Sequence, residues 1–253
     1  MYDITRIVAR KEYSGFFPKM TLLGVPRMKQ IKSIPQKGLF SLKVKYSGPK
    51  LTIQFAEPTD LVWNDVGSGA DEDGSFWTVN DPNDGFSLLS DVACGQPNEY
   101  KRPCDQIVLV KAEDGQGLNH SILQKPLSVT QIWNDKGSGA DFDVAIYRLN
   151  PANGYYCLGM VAVNSYDILP DLDRYRCVRN DYVDEVKLQG LIWSDKGSGA
   201  DKDFSAYDYQ HQIGMITTGL FYGADSYDNV YNLNAFVMGL IESKTEEQYY
   251  GKR

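Results

Sequence analysis

Three stretches of the chain concentrate carboxylates beside hydroxyls and glycines. They contain Asp65, Ser68, Asp71 and Asp73; Asp135, Ser138, Asp141 and Asp143; and Asp195, Ser198, Asp201 and Asp203. The first Asp of each set precedes Gly-Ser-Gly, where positive φ is easy, so its side chain can accept bonds from the N–H groups of its own tight turn. The remaining carboxylates suggest a ligand. Asp71 with Asp73, Asp141 with Asp143, and Asp201 with Asp203 present hard oxygen donors, and with backbone carbonyls they approach the about six to eight oxygens that calcium takes. The first Asp, the Ser and the next Asp of each loop also form a hydroxyl and carboxylate set suited to a glycan. The D-x-[DN]-x-[DN]-G order and closing Glu of an EF-hand are missing. Turn capping and a calcium or glycan site are thus competing readings of the same residues.

Catalytic chemistry fits these residues poorly. Gly-Ser-Gly-Ala lacks the G-x-S-x-G spacing of a nucleophile turn, and three near-identical copies do not build one asymmetric site. Glycosidase carboxylates must face each other across a cleft, which one loop does not supply. Phosphate cradling needs positive charge where these loops carry aspartates. His120 and His211 lie in turn-like contexts and do not occupy equivalent places. The expectation is a protein that is not an enzyme.

The elements that position the loops repeat with them. The loops read WNDVGSGADED, WNDKGSGADFD and WSDKGSGADKD, identical at eight of eleven positions, and their Trp residues, Trp63, Trp133 and Trp193, are spaced by 70 and then 60 residues. Leu61-Val62, Gln131-Ile132 and Leu191-Ile192 precede them as short strands. Phe76-Trp77, Ile146-Tyr147 and Ala206-Tyr207 open a second strand after the loop. Turn residues follow, Pro82 to Phe86 and Pro151 to Tyr155, with a degenerate copy at Gln212 to Met215. A third strand is expected at 88–93, 157–162 and 217–221, and a fourth at 107–111, 175–178 and 235–239. No helical apolar period interrupts this pattern. About four strands used three times predict an all-β fold, a β-prism of three sheets about a pseudo-three-fold axis, with the equivalent Trp residues in the core where the units meet. The expected units are 57–125, 126–186 and 187–241 within a prism over 57–253, preceded by a basic segment over 1–56.

In that segment Leu42, Val44 and Tyr46 alternate with Lys43 and Lys45, and Leu51, Ile53 and Phe55 alternate with Thr52 and Gln54. The pattern predicts a hairpin with one apolar face that completes or caps the prism. Residues 1–53 hold 11 Lys or Arg against two acids, a net of +9, which leaves the remainder at −16 in a chain of net charge −7. An acidic body excludes nucleic acid as a partner. The basic arm is expected to lie against that body, with an anionic membrane or an acidic partner as the alternatives.

Met1 to Tyr13 shows no apolar signal region, and no run reaches the about 18 apolar residues of a spanning helix, so cytosolic synthesis is expected, with release by another route before any action on a target membrane. Cys157 and Cys177 read as core thiols. Cys94 and Cys104 flank a Gly/Pro/Asn-rich loop that a disulfide can close, although reduced thiols are the expectation for a cytosolic protein.

The loop, the aromatic after it, and Pro-x-x-Gly-(Phe/Tyr)-x-x-Leu-(Gly/Ser)-x-Val-Ala together resemble the vacuolar protein sorting-associated protein 62 family over roughly residues 58 to 225. The second unit fits best, through Asp135 to Ala140, Gly154-Tyr155, Leu158-Gly159 and Cys177-Val178-Arg179. The third departs from the pattern after Tyr207. The resemblance implies similarity to β-prism modules of multivesicular-body adaptors and of bacterial pore-forming toxins, with a habit of engaging membranes or glycans. It implies no catalysis, and no family site residues carry over.

These readings lead to a lectin-like recognition protein for glycan or lipid headgroup surfaces, as a toxin or defence protein or its targeting module. An intracellular trafficking or scaffold protein with a protein partner is the alternative. A pore-forming toxin inserting the Lys43 to Phe55 hairpin is the second alternative.

Overall fold

The structure, a computed structural model, describes residues 40–43, 50–82, 85–95, 103–113, 121–212, 215–228 and 234–239. The arm before residue 40, the turn of the expected hairpin at 44–49, and His120 lie outside the described residues. The fold is all-β, a set of small antiparallel sheets, none closed among the described residues. No helix among them is long and apolar enough to cross a membrane.

The basic segment supplies β1 (Phe40–Lys43) and β2 (Lys50–Ala56), which join the strands of the first unit, β3 (Asp60–Asn64), β4 (Ser75–Thr78), β5 (Ser87–Leu88), β6 (Val92–Cys94) and β7 (Ile107–Glu113). The second supplies β8 (Leu123–Gln124), β9 (Ser128–Asn134), β10 (Ala145–Asn150), β11 (Tyr155–Tyr156), β12 (Met160–Val163) and β13 (Cys177–Arg179). The third supplies β14 (Val183–Ser194), β15 (Ser205–Tyr209), β16 (Met215–Ile216), β17 (Phe221–Ala224) and β18 (Asn234–Gly239).

Each unit builds two sheets rather than one. In the first sheet the aromatic strand is central, flanked by the Trp strand and a later strand: β3-β4-β6, β9-β10-β12, and β14-β15-β17. In the second the last strand of the unit is central: β2-β7-β5, β8-β13-β11, and β14-β18-β16. In the third unit the long β14 belongs to both and joins them into one five-stranded sheet, β16-β18-β14-β15-β17. The expected third strand is therefore divided: Leu88 pairs with Leu109 in one sheet, while Val92 pairs with Trp77 in the other. Gly159 and Gly219, at φ +73° and +71°, lie at the equivalent divide of the second and third units. A positive φ there turns the chain from one sheet to the next, which a run of apolar letters does not reveal.

The hairpin expected near residues 42–55 exists as β1 paired with β2, from Phe40 opposite Phe55 to Lys43 opposite Thr52. Its second strand also pairs along its length with β7, from Lys50 opposite Glu113 to Ala56 opposite Ile107. This hairpin is part of an ordinary four-stranded sheet.

A β-bulge recurs in all three Trp strands. Register steps from Leu61 opposite Trp77 to Trp63 opposite Phe76, from Gln131 opposite Tyr147 to Trp133 opposite Ile146, and from Leu191 opposite Tyr207 to Trp193 opposite Ala206. The extra residue, Val62, Ile132 or Ile192, lets the chain bend so that the indole turns inward while the strand edge is broken up. The three Trp residues meet as expected: ring centroids are 6.3 Å apart for Trp63 and Trp133, 5.6 Å for Trp63 and Trp193, and 6.1 Å for Trp133 and Trp193. Phe76, Phe204 and Phe221 pack around them in one buried cluster. Edge-to-face geometry among such rings adds to the gain from removing them from water.

The cysteines correct the sequence reading. Cys157 bonds to Cys177, and Cys94 to Cys104, leaving no free thiol in the chain. The first pair forms because β11 and β13 are neighbours, with Tyr156 opposite Val178, which sets the adjoining cysteines side by side. Cys94 ends β6, and the Cα of Cys104 stands 5.6 Å from its own.

Candidate functional site

Each repeat loop begins where its Trp strand ends and is closed at the base by a backbone bond, Asp65 N–H to Gly74 O, Asp135 N–H to Val144 O, and Asp195 N–H to Phe204 O, all at 3.1 Å. Inside it, the Ser N–H returns to the Asp carbonyl, and the Ser hydroxyl accepts the Ala N–H at 3.1 Å in all three copies. The side chain of the first Asp spans the loop. Asp135 Oδ1 accepts the Val144 N–H at 2.8 Å and Oδ2 accepts the Ser138 hydroxyl at 3.2 Å. Asp195 does the same with Phe204 at 2.7 Å and Ser198 at 3.3 Å. The cap therefore reaches an amide nine residues on rather than the Gly-Ser-Gly amides.

Of the residues singled out from the sequence, Asp65, Asp135, Asp195, Ser68, Ser138 and Ser198 are buried, whereas Asp71, Asp141 and Asp201 are exposed. Asp143 and Asp203 are also exposed and Asp73 is partly so. Burial holds the Asp135 and Asp195 carboxyls above the ordinary carboxylate range, against the pull of their hydrogen bonds.

The loops join head to tail. Asp141 N–H donates to Val66 O at 2.9 Å, Asp201 N–H to Lys136 O at 2.8 Å, and Asp71 N–H to Lys196 O at 2.7 Å, so the three contacts close a ring. The indoles repeat the circuit: Trp63 Nε1 donates to Phe142 O at 2.7 Å, Trp133 to Lys202 O at 2.8 Å, and Trp193 to Glu72 O at 2.8 Å. The loop glycines permit this closeness. Gly137 has φ +90°, and a Cβ on it would stand 3.0 Å from Asp201 Oδ1; Gly67 meets Asp141 Oδ1 in the same way.

Tyrosines that sequence reasoning missed complete two of the loops. Tyr227 Oη donates to Asp195 Oδ1 at 2.8 Å and lies near Asp203. The Tyr166 phenol lies beside Asp135 and Asp143, close enough to feel both carboxylates. Burial first, then these carboxylates, push both phenols far above their usual range. A signal was present: Asn164-Ser165-Tyr166-Asp167 and Asp225-Ser226-Tyr227-Asp228 directly follow β12 and β17. The carboxylates expected to share a cation are thus divided. Asp143 sits with Asp135 under a tyrosine, while Asp141 lies over Gly67 of the first loop. Among the described residues no group of three or more His, Cys, Asp or Glu is placed to hold a metal ion.

Two further polar clusters lie at seams between units. Asp91, fully buried, accepts from the Thr78 hydroxyl at 2.6 Å, the Tyr175 hydroxyl at 3.0 Å and the Ala162 N–H at 2.9 Å, joining the first unit to the second. Burial pushes its carboxyl up to about 6. Arg174 reaches Thr78 Oγ1 at 3.2 Å and Val79 O at 2.7 Å beside it. At the other seam Asp105 Oδ2 accepts the Gly219 N–H at 3.2 Å. His211 is exposed and shares a bond with Thr217, 2.8 Å from Nδ1 to Oγ1.

Comparison with known proteins places this geometry. The family model described as vacuolar protein sorting-associated protein 62 matches residues 26–239. No curated protein matches the chain. Among solved structures, GNIP1Aa from Chromobacterium piscinae is similar, with 26% identity and a TM-score of 0.60 over 79% of this chain. The match covers 39% of GNIP1Aa, so the chain spans well under half the length of that protein.

Proposed function

The chain belongs to the vacuolar protein sorting-associated protein 62 family, and from that premise we propose that it is a non-enzymatic β-prism recognition protein whose joined loops dock on a glycan or membrane surface. The observation that carries this reading is the head-to-tail ring of the three loops. Backbone atoms, buried Asp and Ser side chains, and indoles hold the ring, which leaves the outward side chains of every loop free to contact a ligand. A rigid rim with three stations in corresponding places suits ligands bound weakly at several points, because linked weak contacts gain avidity. The prism arrangement, with units over 57–125, 126–186 and 187–241, is the architecture that this reading assumes.

The two disulfides bear on where it acts. Disulfides persist in oxidising surroundings and are rare in the cytosol. They favour a protein that works outside the reducing compartment, as a toxin or defence protein or its targeting module, over an intracellular trafficking scaffold. The pore-forming alternative requires β2 to leave partners on both sides.

A glycan array run beside flotation with liposomes tests the proposal. Binding in at least one is expected, and blank results in both would falsify it. Calcium titration into metal-free protein addresses the outer carboxylates, and heat at millimolar ion or below is the result that would restore a metal site there.

A further inference from the structure

The ring has three junctions, each pairing the residue whose carbonyl accepts with the residue after the donating Asp. Side chains at those paired positions are exposed and do not repeat. They are Val66 with Phe142, Lys136 with Lys202, and Lys196 with Glu72. One junction is apolar, one doubly basic and one of mixed charge. The apolar junction continues outward. Val163, the last residue of β12, stands opposite Ala145 at the base of the second loop, so the segment after it, with Ile168 and Leu169 in solvent, leaves the sheet beside the loop that carries Phe142. Val66 is 41% exposed, Phe142 60%, Ile168 63% and Leu169 66%. The segment that carries Ile168 and Leu169 is held in place. Ser165 Oγ accepts the N–H groups of Asp167 at 3.1 Å and Ile168 at 3.3 Å, and the next residue after Leu169, Pro170, is buried. Solvent-facing apolar side chains held in place beside the ring suit an interaction surface.

Resting on the recognition reading above, we propose that this apolar junction is the anchor by which the loop end docks on a bilayer of choline-headgroup lipid. Phe142 and the Ile168-Leu169 pair enter the interfacial zone, where aromatic and aliphatic side chains gain from leaving water. The surrounding charges select the lipid. The exposed carboxylates of Asp141, Asp143 and Asp167 border the anchor, while the next junction presents Lys136 and Lys202. An acidic border on a chain of net charge −7 is repelled by an anionic leaflet. A zwitterionic headgroup offers both complements, a quaternary ammonium for the carboxylates and a phosphate for the lysines. A choline cation also suits an exposed aromatic face such as Phe142.

Flotation of the full chain with phosphatidylcholine vesicles, and with vesicles of phosphatidylcholine mixed with phosphatidylglycerol, tests the anchor. The expected result is binding to pure phosphatidylcholine that weakens as phosphatidylglycerol is added. Phe142→Ser, and separately the Ile168→Ser/Leu169→Ser pair, are each expected to lower it by about tenfold or more. Phe142→Trp should retain binding, and unchanged near-ultraviolet circular dichroism of each variant shows that the fold is kept. Wild-type strength in both Ser variants, or equal or stronger binding to the anionic vesicles, overturns the anchor. Absence of flotation with a positive glycan array also overturns it but leaves the recognition reading in place; blank results in both assays remove the two together.

Discussion

Gly137 and Gly154 have similar backbone angles, φ +90° and +85°, but different surroundings. A Cβ at 137 would stand 3.0 Å from the Asp201 carboxylate and 3.2 Å from Gly199 O, whereas nothing lies within 4 Å of one at 154. Gly154→Ala should therefore cost only the left-handed conformation, about 1 kcal/mol, and Gly137→Ala about 2 to 3 kcal/mol because a ring contact must also shift. Urea unfolding of the two variants measures the difference, and equal losses would mean that the junction tolerates the methyl. The buried carboxylates set a pH dependence. Burial raises the Asp91 carboxyl to about 6, and Asp135 and Asp195 move in the same direction. From about pH 4, near the ordinary value, to 6 the folded chain keeps a proton on Asp91 that the unfolded chain has lost. The stabilisation is thus complete at the low end of that window and lost as pH rises through 6. The urea midpoint should be higher at pH 5 than at pH 7.5, with a smaller rise in Asp91→Asn; a midpoint that falls on acidification contradicts the assignment.

At the scale of the elements, the Trp strand, its loop and the aromatic strand were legible because each is a local pattern repeated three times. What was not legible depends on pairing. The bulge at Val62, Ile132 and Ile192 is a property of register between strands, and apolar letters in a row do not disclose it. The division of the third strand between two sheets was hidden for the same reason. The bridge between Cys94 and Cys104 was open on the sequence alone and the one between Cys157 and Cys177 was misread: these two are 20 residues apart and meet only because β11 lies beside β13. A bridge of that span restricts the unfolded chain by about 3 kcal/mol. Replacing both cysteines by Ser should lower unfolding free energy by an amount of that order, and a loss under about 0.5 kcal/mol would argue against that restriction. Which loop aspartates are buried was not legible, because the first Asp turns inward to an amide nine residues on while the later ones meet the neighbouring loop.

For the whole molecule, head-to-tail closure separates this repeat from a linear array. In a solenoid each repeat touches its neighbours and a terminal one can be removed. Here every loop donates to one neighbour and accepts from the other, and each indole bonds the following loop. A fragment of residues 40–186 leaves Trp133 without its acceptor at Lys202 and Asp71 without its acceptor at Lys196. It should lack a cooperative thermal transition, and a fragment that melts as sharply as the full chain would show that closure is dispensable. Trp63, Trp133 and Trp193 also give the closed molecule an optical property. Indole transitions within 6.3 Å of one another, in fixed and differing orientations, couple as one chiral chromophore. Separated indoles would not, so the near-ultraviolet spectrum of the unlabelled protein reports directly whether its three parts are joined.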